Sequence, residues 1–334
     1  VAAAALAGDR TFTGIRPVNL RTDLAGIAEL LEVCFGSTMD EAGRAAIREY
    51  RWVSQSGSLT LLFAGLNRLL GGLEQGFVWI EEGRLVGNVS VSSANFPRSL
   101  GEGYVIANVA VHPDYRRRGL AQAMMTASLD LIRNKGGDFA VLQVDANNDV
   151  ARRLYARLGF HEERMFIRWQ RSSYLRPPQL LRSTPDVVLR QPYEWRSEYE
   201  LALLVRPNEQ GGLGWLRPTH PDQYRPSLSR GLTGWMTGAS EEHWVVRDGN
   251  SQKIVAALRV NTGFGAADKL ELLVHPSRQG QLEEPLINYV LRRLDGYRHP
   301  VTMEHPADDQ VTTSLLERYA FESRNRLVHM RYDL

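Results

Sequence analysis

Hydrophobic residues recur along the chain in two spacings. Where they fall on every second position, or run together over about four to eight, strands are predicted; where they fall on every third or fourth, amphipathic helices are predicted. Residues 13–18 predict a first strand. Asp23 then stands before a run with Leu24, Ile27, Leu31 and Phe35 on one face, which predicts a capped helix over 24–35. A second helix is expected over about 39–52, and the apolar, glycine-rich stretch 57–72 fits neither spacing. Residues 77–80 and 85–92, joined by a polar turn at 81–84, predict a hairpin. Residues 104–111 predict a strand ended by His112-Pro113. A helix over 119–134, a buried strand over 139–144, a helix over 148–158 closed by Gly159, and a strand over 160–170 complete the series.

This order predicts an α/β fold with a mixed sheet flanked by helices. It is complete near residue 171, and the Pro-, Ser- and Arg-rich segment 172–185 reads as a linker. The remaining elements repeat the first set. Val111-His112-Pro113 recurs as Val274-His275-Pro276, Phe160 as Phe321, and Arg16 as Arg190. Between these anchors a hairpin is predicted at 244–260, a strand at 270–274, and helices at 282–294 and 311–319. The expected organisation is a flexible stretch over 1–12, a domain over 13–171, the linker, and a duplicate over 186–334.

Composition narrows the function. The 334 residues include 40 Lys plus Arg and 38 Asp plus Glu, for a formal charge of +2. That balance argues against a broad polybasic surface, and no nucleic-acid-binding motif appears. A single cysteine, Cys34, leaves no intramolecular disulfide and no cysteine-paired zinc site. The histidines are scattered without ligand spacing, so no metal is expected. The first ten residues are apolar but short, with no basic residues before the apolar run, so they do not read as a secretory signal, and no run of about 18 apolar residues spans a membrane. The expected location is the cytoplasm.

The candidate chemistry follows the strand at 104–111. The run Arg116-Arg117-Arg118-Gly119-Leu120-Ala121 opens a helix, whose first turn carries unpaired N–H groups and the positive end of the helix dipole. Such a turn suits phosphate, and a glycine without Cβ lets it approach the backbone. Further on, Ala151, Leu154, Tyr155 and Leu158 share one helical face, from which a tyrosine hydroxyl can reach a ligand.

Together these motifs resemble the GNAT N-acetyltransferase superfamily. Its pattern [QR]-x-x-G-x-[GA] is matched by Arg116, Gly119 and Ala121. Its downstream pattern N-x-x-A-x-x-L-Y-x-x-x-G-F is matched by Asn148, Ala151, Leu154, Tyr155, Gly159 and Phe160. The resemblance implies two tandem GNAT-like domains and acetyl-CoA as cofactor. It implies that Arg116, Arg117, Arg118, Gly119, Leu120 and Ala121 bind the pyrophosphate and that Val109, Ala110 and Val111 run beside the pantetheine arm. Asn148 and Ala151 would also contact the cofactor. The implied reaction is direct attack of a primary amine on the thioester. The Val109 N–H would polarise the carbonyl, and Tyr155 would protonate the departing thiolate. Some members carry a glutamate on the fourth strand as base; here that strand has none, so Glu102, just before it, is the first candidate, ahead of Asn108 within it and Asp145 past the fifth strand, with a water relay as an equal alternative.

In the duplicate, Gln279, Leu282 and Glu283-Glu284 stand opposite Arg116, Gly119 and Ala121, and Leu316 opposite Tyr155. Glu283 and Glu284 would repel phosphate, so the second half is read as a degenerate copy that completes an acceptor pocket or replaces a dimer partner. Trp195, Trp215, Trp235, Trp244 and the segment 208–215 are candidate lining residues. The acceptor is a small-molecule or peptide amine, and the chain is a monomer with an internal pseudo-dimer or a homodimer. The alternative function is a CoA-binding sensor or scaffold without catalysis.

Overall fold

A computed structural model describes residues 12–36, 44, 47, 48, 50, 51, 75–94, 96–226, 240–263, 267–296 and 299–334. The stretch 57–72, Trp235 and most of the helix expected over 39–52 lie outside them. In chain order the elements are β1 (Gly14–Pro17), α1 (Leu24–Phe35), β2 (Gln75–Glu81), β3 (Arg84–Ser93), β4 (Gly103–Val111), α2 (Leu120–Asn134), β5 (Phe139–Asp145), α3 (Asp149–Leu158) and β6 (His161–Arg171). The second series is β7 (Val188–Leu189), α4 (Trp195–Val205), β8 (Ser240–Arg247), β9 (Ile254–Thr262), β10 (Asp268–Val274), α5 (Glu283–Arg293), β11 (Val301–Pro306), α6 (Gln310–Arg318) and β12 (Glu322–Asp333). No helix among the described residues is long and apolar enough to cross a membrane.

The chain forms two compact units. The first takes 1–142, 150–161 and 331–334, and the second takes 143–149 and 162–330. In the first, strands run β1-β2-β3-β4-β5, antiparallel until β4 meets β5 in parallel. Leu24, Ile27 and Leu31 of α1 pack on Val78, Ile80 and Ala110, together with Ile47 and Tyr50. On the other side, α2 lies so close that a Cβ on Gly87 would come within 2.8 Å of Met124 Cε. Asp23 precedes α1 as expected but does not cap it through its side chain. Its carboxylate is held instead by Arg16 Nη1 and Nη2 (2.7 and 2.8 Å) and the Asn19 N–H (2.7 Å), stronger charge-assisted partners than a helix N–H.

Two irregularities in β4 shape this unit. Asn88 pairs with Ala110 but Ser90 pairs with Ala107, so two residues of β4, Asn108 and Val109, oppose one of β3. The β4–β5 register holds from Gly103 to Val105 among the described pairs.

In the second unit the order is β12-β6-β11-β10-β9-β8-β7, with β10 and β11 parallel. β6 belongs here and pairs with β11 from Phe166 to Arg171. Leu201 and Ala202 of α4 cover one face with Val245, Ala257 and Leu273, while Leu286 and Val290 of α5 and Leu315 of α6 share a second cluster with Leu258 and Leu272.

The repeat extends to geometry. Arg16 grips buried Asp23, and Arg190 Nε lies 3.1 Å from buried Glu198. His112 Nδ1 accepts the Asp114 N–H, and His275 Nδ1 accepts the Ser277 N–H. The Phe160 N–H donates to the Tyr155 carbonyl (3.0 Å) and the Phe321 N–H to the Leu316 carbonyl (2.9 Å). Gly159 and Ala320, which end α3 and α6, both have positive φ, 101° and 58°.

Candidate functional site

The turn between β4 and α2 is built by its own side chains. Arg116 Nε donates to the Val111 carbonyl at 3.1 Å, and Arg118 lies over the Tyr115 ring at 5.0 Å and 3.9 Å from Glu81. Two of the three arginines thus brace the turn, a use the sequence did not reveal. Arg117 and Gly119 both adopt left-handed backbone, φ 65° and 82°. A left-handed residue between residues of negative φ turns successive N–H groups toward one concavity, the form that receives anions, and Arg116 before Arg117 is extended. Gly119 is also the residue before α2, whose first N–H groups lack intrahelical acceptors. A Cβ at Gly119 would meet no atom within 4 Å, so the approach is open. Arg116–Gly119 are exposed, Leu120 is buried and anchors the helix in the core, and Ala121 is half-buried. These residues fit a phosphate group.

The strand leading in is half-committed. The Ala110 side chain is buried in the α1 cluster, so only its backbone faces the strand edge, while Val109 and Val111 are half-buried. The Val111 carbonyl also lies 3.4 Å from Cys34 Sγ. Burial pushes the Cys34 thiol up, against the weaker pull of Arg116, which leaves it protonated and a poor nucleophile.

Tyr155 is the one buried residue of α3. Its ring meets Phe160 at 6.0 Å, and burial pushes its hydroxyl up to about 12. Ala151 is half-buried on the same helix. Asn148 is exposed in the turn before α3, where its N–H donates to the Asp145 carbonyl.

The structure does not bring Glu102 to this end of β4. It is exposed before the first residue of the strand, with its N–H on Asp138 Oδ2 (2.7 Å) and its carbonyl accepting the Asp138 N–H (2.9 Å). Seven residues of extended chain separate it from Val109, on the order of 20 Å. Glu102 is therefore corrected from candidate base to a residue of the strand's entry turn.

The corresponding turn of the second unit is closed by its own chain. Gly280, at the position of Arg117, keeps a left-handed φ of 81°, but Leu282, at the position of Gly119, has φ −114°. The buried Glu283 carboxylate accepts the Gly280 N–H (2.9 Å) and the Leu282 N–H (3.2 Å). The sequence predicts repulsion of phosphate; the structure shows the donors already satisfied by an internal anion. Glu284 points elsewhere, to Arg318 and the Tyr319 hydroxyl. Of the tryptophans, Trp244 packs against Tyr289 and under Arg293, Trp195 lies under Arg196 and Arg225, and Trp215 meets His329 edge-on. Among the described residues no group of three or more His, Cys, Asp or Glu could hold a metal ion.

Residues 39–160 match the Acetyltransferase (GNAT) family, and this part of the chain is a GNAT domain. The chain is 32% identical over 96 residues to N-alpha-acetyltransferase 30 of Schizosaccharomyces pombe, covering 29% of this chain and 63% of that protein. It is 33% identical over 180 residues to a mycothiol acetyltransferase of Rhodococcus opacus, covering 48% of this chain and 57% of that protein. The chain thus spans about three fifths of either relative. A solved tandem GNAT protein from the clavulanic acid biosynthesis pathway superposes with a TM-score of 0.54 at 15% identity, over 96% of this chain and 98% of that one. Members of the family generally use acetyl-CoA.

Proposed function

We propose that the chain is an N-acetyltransferase that moves an acetyl group from acetyl-CoA to a primary amine, with the chemistry in the first half and the second half a degenerate copy without cofactor. The observation that carries this reading is the open left-handed turn at Arg117–Gly119, set at the start of α2 and beside an irregular β4. Acetyl-CoA, when bound, supplies an acetyl thioester. The N–H groups from Arg116 to Ala121 would hold its pyrophosphate, the backbone of Val109–Val111 would align its arm, and Ala151 would flank it. The Val109 N–H donates to the carbonyl oxygen as negative charge develops there. The amine nitrogen forms the new bond to carbon, the carbon–sulfur bond breaks, and the amine proton leaves to water. Tyr155 would donate its hydroxyl hydrogen to the departing sulfur and recover, through water, the proton that the amine has lost.

The acceptor is an amine of a small molecule or peptide. Isothermal titration with CoA, followed by thiol release from acetyl-CoA across a panel of amines, tests the proposal. One CoA per chain and amine-dependent thiol release are expected; no CoA binding overturns it. The absence of a carboxylate on β4, where Asn108 stands instead, favours a second reading: a CoA-binding sensor or scaffold. Binding without turnover on any amine would select that reading.

A further inference from the structure

Asn88 is a polar residue sealed inside the first unit, 1% exposed, in the middle of β3. Its Nδ2 donates to the Asn108 carbonyl at 2.9 Å. Its Oδ1 is buried and has no partner among the described residues, so the peptide at Asn108 alone fixes how this amide is turned. Asn108 in turn has φ 52°, a conformation that side-chain-bearing residues adopt at a cost, and its own Nδ2 donates to Ser90 Oγ at 3.3 Å. Two asparagines and a serine thus hold one peptide of a β-bulge in place. Strain that the surroundings enforce in this way is a reason to look for a use.

The use follows from peptide geometry. The Asn108 carbonyl and the Val109 N–H belong to one planar trans unit, so they point in opposite directions. Asn88 draws the carbonyl toward β3. The Val109 N–H is therefore turned away from β3, toward the side of β4 where the pairing with β5 has ended at Val105. A donor on the carbonyl also polarises the unit and strengthens its N–H as a donor in turn.

We infer that Asn88 is a positioning residue for acetyl transfer, clamping the Asn108–Val109 peptide so that its N–H meets the thioester oxygen. This rests on the proposed function. It accounts for a fully buried asparagine with an unsatisfied oxygen, which packing alone would replace with an apolar residue.

The test is difference infrared spectroscopy of acetyl-CoA labelled with ¹³C at the carbonyl, bound to the full chain and to Asn88→Ala. In the wild type the carbonyl stretch shifts to lower frequency on binding, and in Asn88→Ala it returns toward its free position. Turnover falls by about 10- to 100-fold, with acetyl-CoA affinity held within about threefold. Asn88→Leu, close in size but with no donor for the carbonyl, gives the same spectrum. If both variants fail to fold, the wild-type band decides alone. An unshifted wild-type band, an unchanged band in a folded variant, or a loss of affinity that accounts for all the loss of turnover overturns the inference while the proposed function stands. A wild type that binds no acetyl-CoA overturns both.

Discussion

The turns at 112–121 and 275–284 begin alike and end differently. Each opens with a His-Pro pair whose histidine accepts a backbone N–H two residues on, and each has a left-handed residue at the fifth position after that histidine, Arg117 or Gly280. They diverge at the seventh position. Gly119 stays left-handed before an open approach, whereas Leu282 is right-handed and the next residue, Glu283, turns its carboxylate onto the free N–H groups. A turn of this shape either leaves its N–H groups open or satisfies them with its own carboxylate. Both halves keep the scaffold, and one glycine and one glutamate separate them.

The largest expected effect comes from breaking the open turn. A β-branched residue at Gly119 cannot hold φ 82° without strain, so Gly119→Val should rotate the N–H groups that start α2. Titration calorimetry should show CoA affinity falling by at least about 100-fold, equivalent to losing two or more charge-assisted hydrogen bonds. Unchanged affinity would move the cofactor away from this turn.

Next in size is Tyr155. Its counterpart Leu316 is equally buried, so the position has a packing role in both halves and a hydroxyl in one. Tyr155→Phe keeps the ring and should lower turnover by about 100-fold with CoA affinity retained. Because burial holds the hydroxyl near 12, it stays protonated across the working range. Turnover should therefore show no alkaline decline from Tyr155 below about pH 11. An alkaline limb near pH 10 that vanishes in the phenylalanine variant would contradict that environment.

Much of this was legible in the sequence because it rests on local rules. Helix faces such as Leu24–Ile27–Leu31, the glycine closing α3 and the repeat anchors are written in spacing. What was not legible depends on contacts between distant residues. Asp23 reads as a cap, but Arg16 claims its carboxylate. Arg116 and Arg118 read as phosphate ligands, but some of each side chain holds its own turn. Glu283 reads as repulsive, because a sequence gives its charge and not the direction of its carboxylate. Asn88 gives no signal at all: a lone asparagine in a strand acquires meaning only when the bulge opposite it is seen. Glu102 is nominated by chain distance from β4, and the strand's length carries it to the wrong end.

Acid should separate the halves by a smaller margin. Among the described residues the buried histidines, His305 and His329, are both in the second unit. Burial holds both near 4, helped at His305 by neighbouring Arg206. A histidine kept neutral by folding takes up its proton on unfolding. Their contribution is therefore intact above the ordinary histidine value of about 6.5 and is lost as the pH falls toward 4. Urea midpoints should decline across this window with a linkage of up to about two protons, reduced by about one in His329→Phe. Hydrogen exchange at pH 5 should quicken in 162–330 before it quickens in 12–142. A flat profile would mean that these histidines are already charged in the folded chain.

The smallest effect is the sharpest test of what distinguishes the two turns. Arg117 shows that the fifth position tolerates a side chain at φ 65°, and a Cβ on Gly280 would meet nothing within 4 Å. Gly280→Arg should therefore cost only the strain of a left-handed side-chain-bearing residue, about 1 kcal/mol in urea unfolding, partly offset by a stiffer unfolded chain. Ala320 already adopts φ 58° in this half. CoA stoichiometry should stay at one per chain, even though the variant restores an arginine to a turn that resembles 116–119. The reason is Glu283: its carboxylate still accepts the N–H groups of residue 280 and Leu282, so an added cation outside the turn opens no place for phosphate within it. A second CoA bound by Gly280→Arg would show that side-chain charge, and not the backbone donors, sets where the cofactor sits, and the contrast between the halves would then rest on the arginines.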